Sequence, residues 1–393
     1  MNADRWHRAL DDYVADVNRS RGETKATPLE PTGTYTFPVA YRFVTEDVIR
    51  LFANAIGDPN PLWRSPEYGR STRWGSVIGP PVFESCAGEL PAMPDPPHVP
   101  GWNAYNGGNL RRYLRPIRPG DTLRAEDTWL GIVEKTRPDR PHRLFLMTTD
   151  RTYVNQRDEV VCIVRGRMIC TATPPDRQEP VPEEAAADRR RRRFSPEELD
   201  ALHAEYEDQL GGRFRRGAEK RHWEDVAEGE EIPSLLKGPY DVTDAVSFFG
   251  SVGYSAAFAI KWQGLKGDLA RSPVDPETGE HHHVADWHLQ DSIARVSGLP
   301  YAQAFGTHME TMLSHPVTDW MGDDGFLTKL DSQLRTPLFQ GEMSRTHGRV
   351  TRKYVEDGEH LVDLDLWAET HGGARYSQAT ATVRLPARET GGD

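Results

Sequence analysis

The sequence predicts an α+β fold that is built twice, with one buried helix followed by an antiparallel sheet in each half. At 393 residues the chain exceeds the usual size of one domain, so two core-forming units are expected. Each half contains an amphipathic stretch that ends at a glycine, then the same Pro-Gly-acid element, then alternating strands. This repeated order of elements indicates an internal duplication.

The two helices are predicted from apolar residues at helical spacing. Residues 45–56 and 243–252 each carry an apolar stripe behind a threonine whose hydroxyl can cap a helix, and they end at Gly57 and Gly253. The stripes are Val48, Ile49, Leu51, Phe52 and Ala55 in the first half, and Ala245, Val246, Phe248 and Phe249 in the second. Each helix is therefore expected to bury one face.

The strand regions follow residues 115–121 and 336–342, in which Pro, Gly and an acid have identical spacing. At the end of the chain, residues 361–369 and 376–385 alternate apolar and polar side chains around His371-Gly372-Gly373. This pattern is typical of a β-hairpin, so both sheets are expected to be antiparallel.

A linker separates the halves. A Pro/Glu/Ala-rich stretch leads into five consecutive arginines, Arg189 to Arg193, and Ser195-Pro196-Glu197-Glu198 has the spacing of a capping box that begins a helix ending near Leu210. We place the first domain at residues 1–173, the linker at 174–210 and the second domain at 211–393. The arginines are interpreted as a solvated linker facing acidic neighbours in preference to a nucleic-acid patch.

Composition excludes several protein classes. The net charge of −12 disfavours nucleic acid as a general partner, and the sequence contains no run of about 18 apolar residues that would span a membrane. Residues 1–10 lack the apolar core of a signal peptide. The three cysteines, Cys86, Cys162 and Cys170, have no CxxC spacing. We therefore expect a cytoplasmic protein without disulfides, a metal site or a membrane partner.

The first half resembles a known family. Residues 55–63, AIGDPNPLW, followed by Ser65-Pro66-Glu67-Tyr68, are similar to the MaoC-like hydratase motif G-D-x-N-P-x-H and D-P-E-x-A. Residues 74–83, WGSVIGPPVF, resemble the fatty-acid-synthase-type dehydratase variant, W-G-x-x-I-A-P-P-x-F. The second half resembles the family through His288, which is followed by Ala294, Gly298 and Gly306 at intervals of six, ten and eighteen residues.

The resemblance implies a double hot-dog fold, in which two long central helices are each wrapped by an antiparallel β-sheet. It also implies a thioester of coenzyme A or acyl carrier protein as substrate, no cofactor, and a homodimer. In the family an aspartate and a histidine on the loop after the helix activate water, and a backbone NH near a later glycine holds the thioester oxygen. About thirty residues, 259–287, are then inserted before His288.

The family's catalytic pair is divided between the halves. In the first half Asp58 and Asn60 match the aspartate and amide, but Trp63 stands at the histidine position. In the second half His288 matches, but Tyr254 and Ala256 stand at the other two positions.

Two arrangements remain open for a complete pair. His288 can act with Asp286 or Asp291 from its own loop, or Asp58 and His288 can meet across the two halves. His308 is a reserve acid/base candidate, although His308 and His315 can also simply decorate a helix. Asp58 and Asn60 equally suit a turn whose side chains bond their own backbone.

The substrate-binding candidates are loops and arginines. Gly306 with Thr307 in the second half, or Gly79 in the first half, could supply oxyanion donors. The Gly306 loop is preferred because Pro80 and Pro81, which follow Gly79, have no NH. The arginines near the first sheet could receive coenzyme A phosphates, or could line a solvated strand edge: Arg111, Arg112, Arg115 and Arg118. Residues 319–325 are interpreted as a turn into a strand.

These features predict a hydratase or dehydratase acting on a 2-enoyl or 3-hydroxyacyl thioester. The alternatives are a hot-dog subunit that binds acyl thioesters without turnover, and another reaction in the same cleft, such as cyclisation or thioester hydrolysis.

Overall fold

The protein is described by a computed structural model that covers residues 1–26, 41–88, 94, 96–97, 99–177, 193–253, 269 and 272–388. Tyr254, Ala256, Arg189 to Arg192 and much of the inserted stretch 259–287 lie outside the described residues. The helices are α1 (Ala3–Arg19), α2 (Glu46–Ala55), α3 (Pro61–Arg64), α4 (Pro66–Ser71), α5 (Pro196–Leu210), α6 (Val242–Ser251), α7 (Asp291–Val296) and α8 (Gly306–Met321).

The strands form one sheet. They are β1 (Thr24–Ala26), β2 (Trp102–Tyr113), β3 (Arg124–Glu134), β4 (Arg143–Val154), β5 (Val160–Ala172), β6 (Glu231–Lys237), β7 (Phe326–Leu334), β8 (Ser344–Glu356), β9 (Glu359–Thr370) and β10 (Arg375–Arg384). Their order is β1-β3-β4-β5-β2-β7-β10-β9-β8-β6, and neighbouring strands are antiparallel. The antiparallel sheets predicted for both halves are confirmed.

The two halves are joined at the centre of this sheet, where β2 pairs with β7. The pairing is short, running from Leu110 opposite Asp331 to Arg112 opposite Lys329. Because β2 has neighbours on both sides, it is not the solvated strand edge considered for the arginines. The pairing also places residues of the first half beside the helix that begins at Gly306.

The long central helix of the second half is α8, and not the predicted helix at 243–252. Every residue of α8 from Thr307 to Met321 is buried, and the helix packs against β2 and the strands of the second half. His308 and His315 therefore face the interior and do not decorate a surface. Asp319 also belongs to α8, so the predicted turn at 319–325 begins only at Gly322.

The two amphipathic helices pack against each other across the halves. Phe52 of α2 lies 6.3 Å from Phe248 of α6 between ring centroids. Thr45 caps α2 as predicted, but α6 is capped by Asp241, two residues before the expected cap at Thr243. In the first half, the residues after the Pro80-Pro81 loop form a buried 3-10 helix, Phe83–Ala87. Among the described residues, only the second half has a long helix in the central position.

A buried ion network ties the halves together. Arg111 donates to Glu84 at 2.7 Å and to Glu310 of α8 at 2.5 Å, and all three side chains are at most 2% exposed. Asn109 also donates to Glu310 from its side chain at 2.9 Å. Arg111 is thus buried and paired with two carboxylates, so it cannot bind the phosphates of coenzyme A.

Replacing Arg111 with leucine is expected to lower the free energy of unfolding by about 3–5 kcal/mol, because two buried carboxylates lose their counterion. The matched control is Arg165→Leu, which breaks a surface pair with Asp150 and is expected to cost no more than about 1 kcal/mol. Urea unfolding followed by circular dichroism measures both. Equal losses for the two variants would contradict a structural role for the network.

No helix within the described ranges is both long enough and apolar enough to cross a membrane.

Candidate active site

The candidate site is a largely apolar cavity of about 380 Å³ between the halves. It lies within the range of volumes that small-molecule sites occupy. The second half contributes the His288 loop and the start of α8, and the first half contributes β2. The lining residues used below are Tyr105, Asn106, Trp287, His288, Phe305 and Gly306.

His288 is a buried histidine, and its Nε2 has no hydrogen-bond partner among the described residues. Its Nδ1 lies 2.9 Å from the main-chain oxygen of Gln303, and because a carbonyl only accepts, Nδ1 carries the proton. Nε2 is then left with a lone pair. Burial lowers the pKa of His288 to about 4, so the ring is neutral at pH 7. The side chain can therefore accept a proton without first losing one.

Local structure fixes the position of this ring. His288 ends the 3-10 helix Val284–His288, and its main-chain oxygen accepts a hydrogen bond from Gln340 Nε2 at 3.1 Å. The ring packs 4.7 Å from Phe305 and 5.7 Å from Trp287 between centroids. Trp287 in turn stacks on Tyr105 of the first half at 5.4 Å. Aromatic rings from both halves thus hold the histidine.

Helix α8 begins at the same cavity. No side chain in the part of the chain that the structure describes caps its start at Phe305, so the first NH groups, including those of Gly306 and Thr307, carry the positive end of the helix dipole. Thr307 itself is fully buried. An oxygen that gains negative charge next to Gly306 would be stabilised by these donors.

A second donor comes from Asn106 on β2. Its Oδ1 accepts from the NH of Gly108 at 2.9 Å, which identifies the other terminal atom as the amide nitrogen. That nitrogen is buried and has no partner among the described residues. A Cβ built on Gly306 would lie 2.8 Å from it, so glycine is required for this close approach. The unpaired amide and the start of α8 face one cavity.

Sequence reasoning missed Asn106. The signal was the run Asn106-Gly107-Gly108-Asn109 inside a strand, because glycines within a strand often mark a bulge or a close approach. The pairing of β2 with β5 does shift register between Asn106 and Asn109.

The carboxylates expected beside His288 have other partners. Asp286 Oδ2 lies 2.9 Å from His282 Nδ1, and Asp291 Oδ1 accepts from the NH of Ala302 at 2.8 Å. Burial lowers the pKa of His288 by more than the hydrogen bond to Gln303 and the charge of Asp286 raise it. The imidazole is therefore oriented by a carbonyl.

Asp58 does not meet His288. Asp58 Oδ2 accepts from Trp63 Nε1 at 2.9 Å, and Oδ1 accepts from the NH of Asn60 at 2.9 Å and lies 3.4 Å from Nε2 of His315. Asn60 Oδ1 caps the following short helix through the NH of Leu62. The indole at the family's histidine position thus locks this loop as a turn, which removes the cross-half pairing of Asp58 and His288.

The remaining candidates lie away from the cavity. The NH of Gly79 donates to Ile117 O at 2.9 Å, so Gly79 has no donor to offer an oxyanion. Gly79 and Arg115 line a separate pocket of about 40 Å³, and Arg112 is an exposed residue of β2. His308 stacks on Phe248 at 4.6 Å and faces a different cavity. The arginine on the candidate cavity is the exposed Arg335.

Comparisons with known proteins place the first half in a family. A family model described as "FAS1-like, dehydratase domain region" matches residues 32–164. A UPF0336 protein of Thermobifida fusca is 38% identical over 102 residues, which are 25% of this chain and 66% of that protein. A UPF0336 protein of Parafrankia is 35% identical over 104 residues, 25% of this chain and 68% of that protein. The chain thus spans slightly less than two thirds of the Thermobifida relative.

Solved structures match the whole described architecture. A MaoC-like dehydratase superimposes with a TM-score of 0.60 at 16% identity, covering 94% of this chain and 99% of that one. Rv0216 of Mycobacterium tuberculosis, described as having a double hotdog fold, superimposes with a TM-score of 0.51 at 12% identity, covering 94% and 97%. At these identities the likeness concerns the fold, and it confirms the predicted double hot-dog.

Proposed function

The chain belongs to the UPF0336 family through its first half, which also matches a FAS1-like dehydratase region, and its fold is that of a MaoC-like dehydratase. From this likeness and the geometry of the site, we propose that it adds water to a 2-enoyl thioester, or removes it from a 3-hydroxyacyl thioester, at the His288 cavity. One observation carries this proposal. A neutral histidine with a free Nε2 shares an apolar cavity with the uncapped start of α8 and an unpaired buried amide.

In the hydration direction, His288 Nε2 takes a proton from water while the water oxygen bonds to C3 of the enoyl group. The electrons of the C2=C3 double bond move toward the thioester carbonyl. Gly306 NH and Asn106 Nδ2 donate to that oxygen as it becomes an enolate. The protonated His288 then returns its proton to C2, which restores the thioester. One imidazole performs both proton transfers, since the nearby carboxylates have other partners.

The carrier end of the thioester would extend out of the cavity past Arg335, which lines the cavity and is exposed. A guanidinium there suits the phosphate groups of coenzyme A or of an acyl carrier protein's prosthetic arm. This role replaces the one expected for Arg112 and Arg115. The homodimer and the cytoplasmic location stay predictions.

The assay follows the ultraviolet absorbance of the enoyl-thioester band after mixing the full chain with crotonyl-CoA or a longer 2-enoyl-CoA. We expect the band to decay and a 3-hydroxyacyl product to form. Product analysis by mass spectrometry separates hydration from thioester hydrolysis, which releases a free thiol. A stable band and no product at saturating protein would contradict hydratase activity for these substrates.

A second candidate function rests on how His288 is held. Its Nδ1 bonds to a carbonyl and not to a carboxylate, so the imidazolium formed during turnover has weaker support. A subunit that binds an acyl thioester without turnover would fit this geometry. Binding by calorimetry with no band decay in either direction would favour that candidate.

The pH dependence of hydration tests the state of the histidine. Because the unprotonated ring acts as the base and its pKa is lowered to about 4, kcat/KM is expected to stay level from about pH 7.5 to about pH 5.5. It should fall only as the pH approaches 4. Circular dichroism at each pH separates loss of the base from acid unfolding. An inflection near the ordinary histidine value of about 6.5 would contradict a buried base.

A further inference from the structure

A second cavity, of about 420 Å³, lies beside α8, β6 and the loop after α2. Its lining includes Lys237, Tyr240, His308, His315 and Asp319, and it includes neither His288 nor Gly306. Three of these residues lie on one face of α8, since positions 308, 315 and 319 are separated by helical intervals. The proposed hydration site uses none of them.

Several polar atoms around this cavity have no protein partner. Tyr240 Oη, His308 Nδ1, His315 Nδ1 and Asp319 Oδ1 are buried without a hydrogen bond among the described residues. Each of these four residues is at most 6% exposed. Buried polar groups in proteins are almost always paired, so a concentration of four unpaired atoms on one cavity indicates a polar occupant.

Lys237 brings a nucleophile to the same cavity. Its Nζ donates to the main-chain oxygens of Gly57 at 2.7 Å and Ile56 at 3.2 Å. Both acceptors are carbonyls and not carboxylates. An unprotonated amine keeps two N–H bonds, which these carbonyls can accept, and its lone pair then remains free. Burial lowers the pKa of Lys237, although the charges of Asp58, Asp319 and Asp244 oppose the shift.

Asp319 provides a proton donor. Burial and the charge of Asp58 raise the pKa of Asp319 to about 8, so its carboxyl is largely protonated at pH 7. His315 Nε2 lies 3.6 Å from Asp319 Oδ2 and 3.4 Å from Asp58 Oδ1. Burial lowers the pKa of His315 to about 3, so this imidazole is neutral. An amine, a carboxylic acid and a neutral imidazole therefore line one chamber.

We propose that this cavity is a second site, which captures a small hydroxylated aldehyde or ketone as an imine on Lys237. The amine nitrogen attacks the carbonyl carbon, and the carbon–oxygen bond breaks as the C=N bond forms, with release of one water. Asp319 donates a proton to the departing hydroxyl and takes up the proton released from nitrogen. The unpaired atoms of Tyr240 and His315 bind the hydroxyl group of the substrate. The reaction is independent of His288.

The test is borohydride trapping on the full chain. The protein is incubated with hydroxyacetone, reduced with sodium borohydride and digested, and the modified lysines are located by mass spectrometry. Because burial lowers the pKa of Lys237, more of its amine is unprotonated, so Lys237 is expected to be modified more than other lysines. Lys353 is the matched internal control, since its Nζ also donates to two carbonyls, Glu224 O and Val226 O, but it lies outside this cavity.

Modification of Lys220 and Lys353 with Lys237 left unmodified, or equal modification of all three, would overturn the proposal. Asp319→Asn should reduce labelling of Lys237 and leave Lys353 unchanged. Lys237→Met should abolish the adduct while the enoyl-thioester assay is unaffected, which separates this site from the hydration site. Circular dichroism confirms that each variant is folded.

Discussion

Replacing His288 with glutamine is expected to slow hydration of a 2-enoyl thioester by roughly a thousandfold, because no other described residue lining the cavity is placed to take the proton from water. Glutamine keeps the size of the side chain, and its amide can still donate to Gln303 O. Substrate binding should therefore change little, so the loss should appear in kcat and not in KM. The decay of the enoyl-thioester band gives both constants.

The control for this variant is His347→Gln. His347 lies on β8 and stacks on Trp367 at 5.3 Å, and it does not line the candidate cavity. The His347→Gln variant should hydrate the 2-enoyl thioester at the rate of the unmodified protein. If His288→Gln retained full activity with an unchanged fold, the assignment of the base would be wrong even if the protein were a hydratase.

Asn106→Asp is expected to lower kcat by about a hundredfold to a thousandfold, the usual effect of removing one oxyanion donor. Aspartate keeps the oxygen that accepts from Gly108 NH, so the bulge in β2 is preserved. It replaces the unpaired Nδ2 with an acceptor, which would repel the enolate oxygen. A purely structural asparagine would tolerate this change, whereas a catalytic donor would not.

Two further variants complete the Asn106 experiment. Asn103→Ala alters another asparagine of the same strand and the same cavity, and it should leave kcat within a few fold. Asn106→Ala should lower kcat without the added repulsion, so its loss should be smaller than that of Asn106→Asp. Equal activity of Asn106→Asp and the unmodified protein would show that Gly306 and its helix bind the oxygen alone.

The divided catalytic pair shows how far motif matching extends. The sequence places Asp58 and His288 at family positions, but position in a motif does not decide what a side chain touches. Trp63 donates to Asp58, and His315 lies beside it, so Asp58 holds its own loop and contacts α8. His288 instead takes its orientation from Gln303. The contacts of Asp58 with His315 and of His288 with Gln303 join residues that the motif does not relate.

The sequence by itself determined the duplicated α+β fold, the antiparallel strands and the spacing from His288 to Gly306. These features follow from local patterns: apolar periodicity, turn residues and short motifs. The tertiary structure decided which helix is central, that Arg111 is buried between Glu84 and Glu310, and that Asn106 meets Gly306. These arrangements arise where β2 pairs with β7. Pairing between distant strands is selected by packing of the whole core, so residues 106 and 306 become neighbours only in the folded chain.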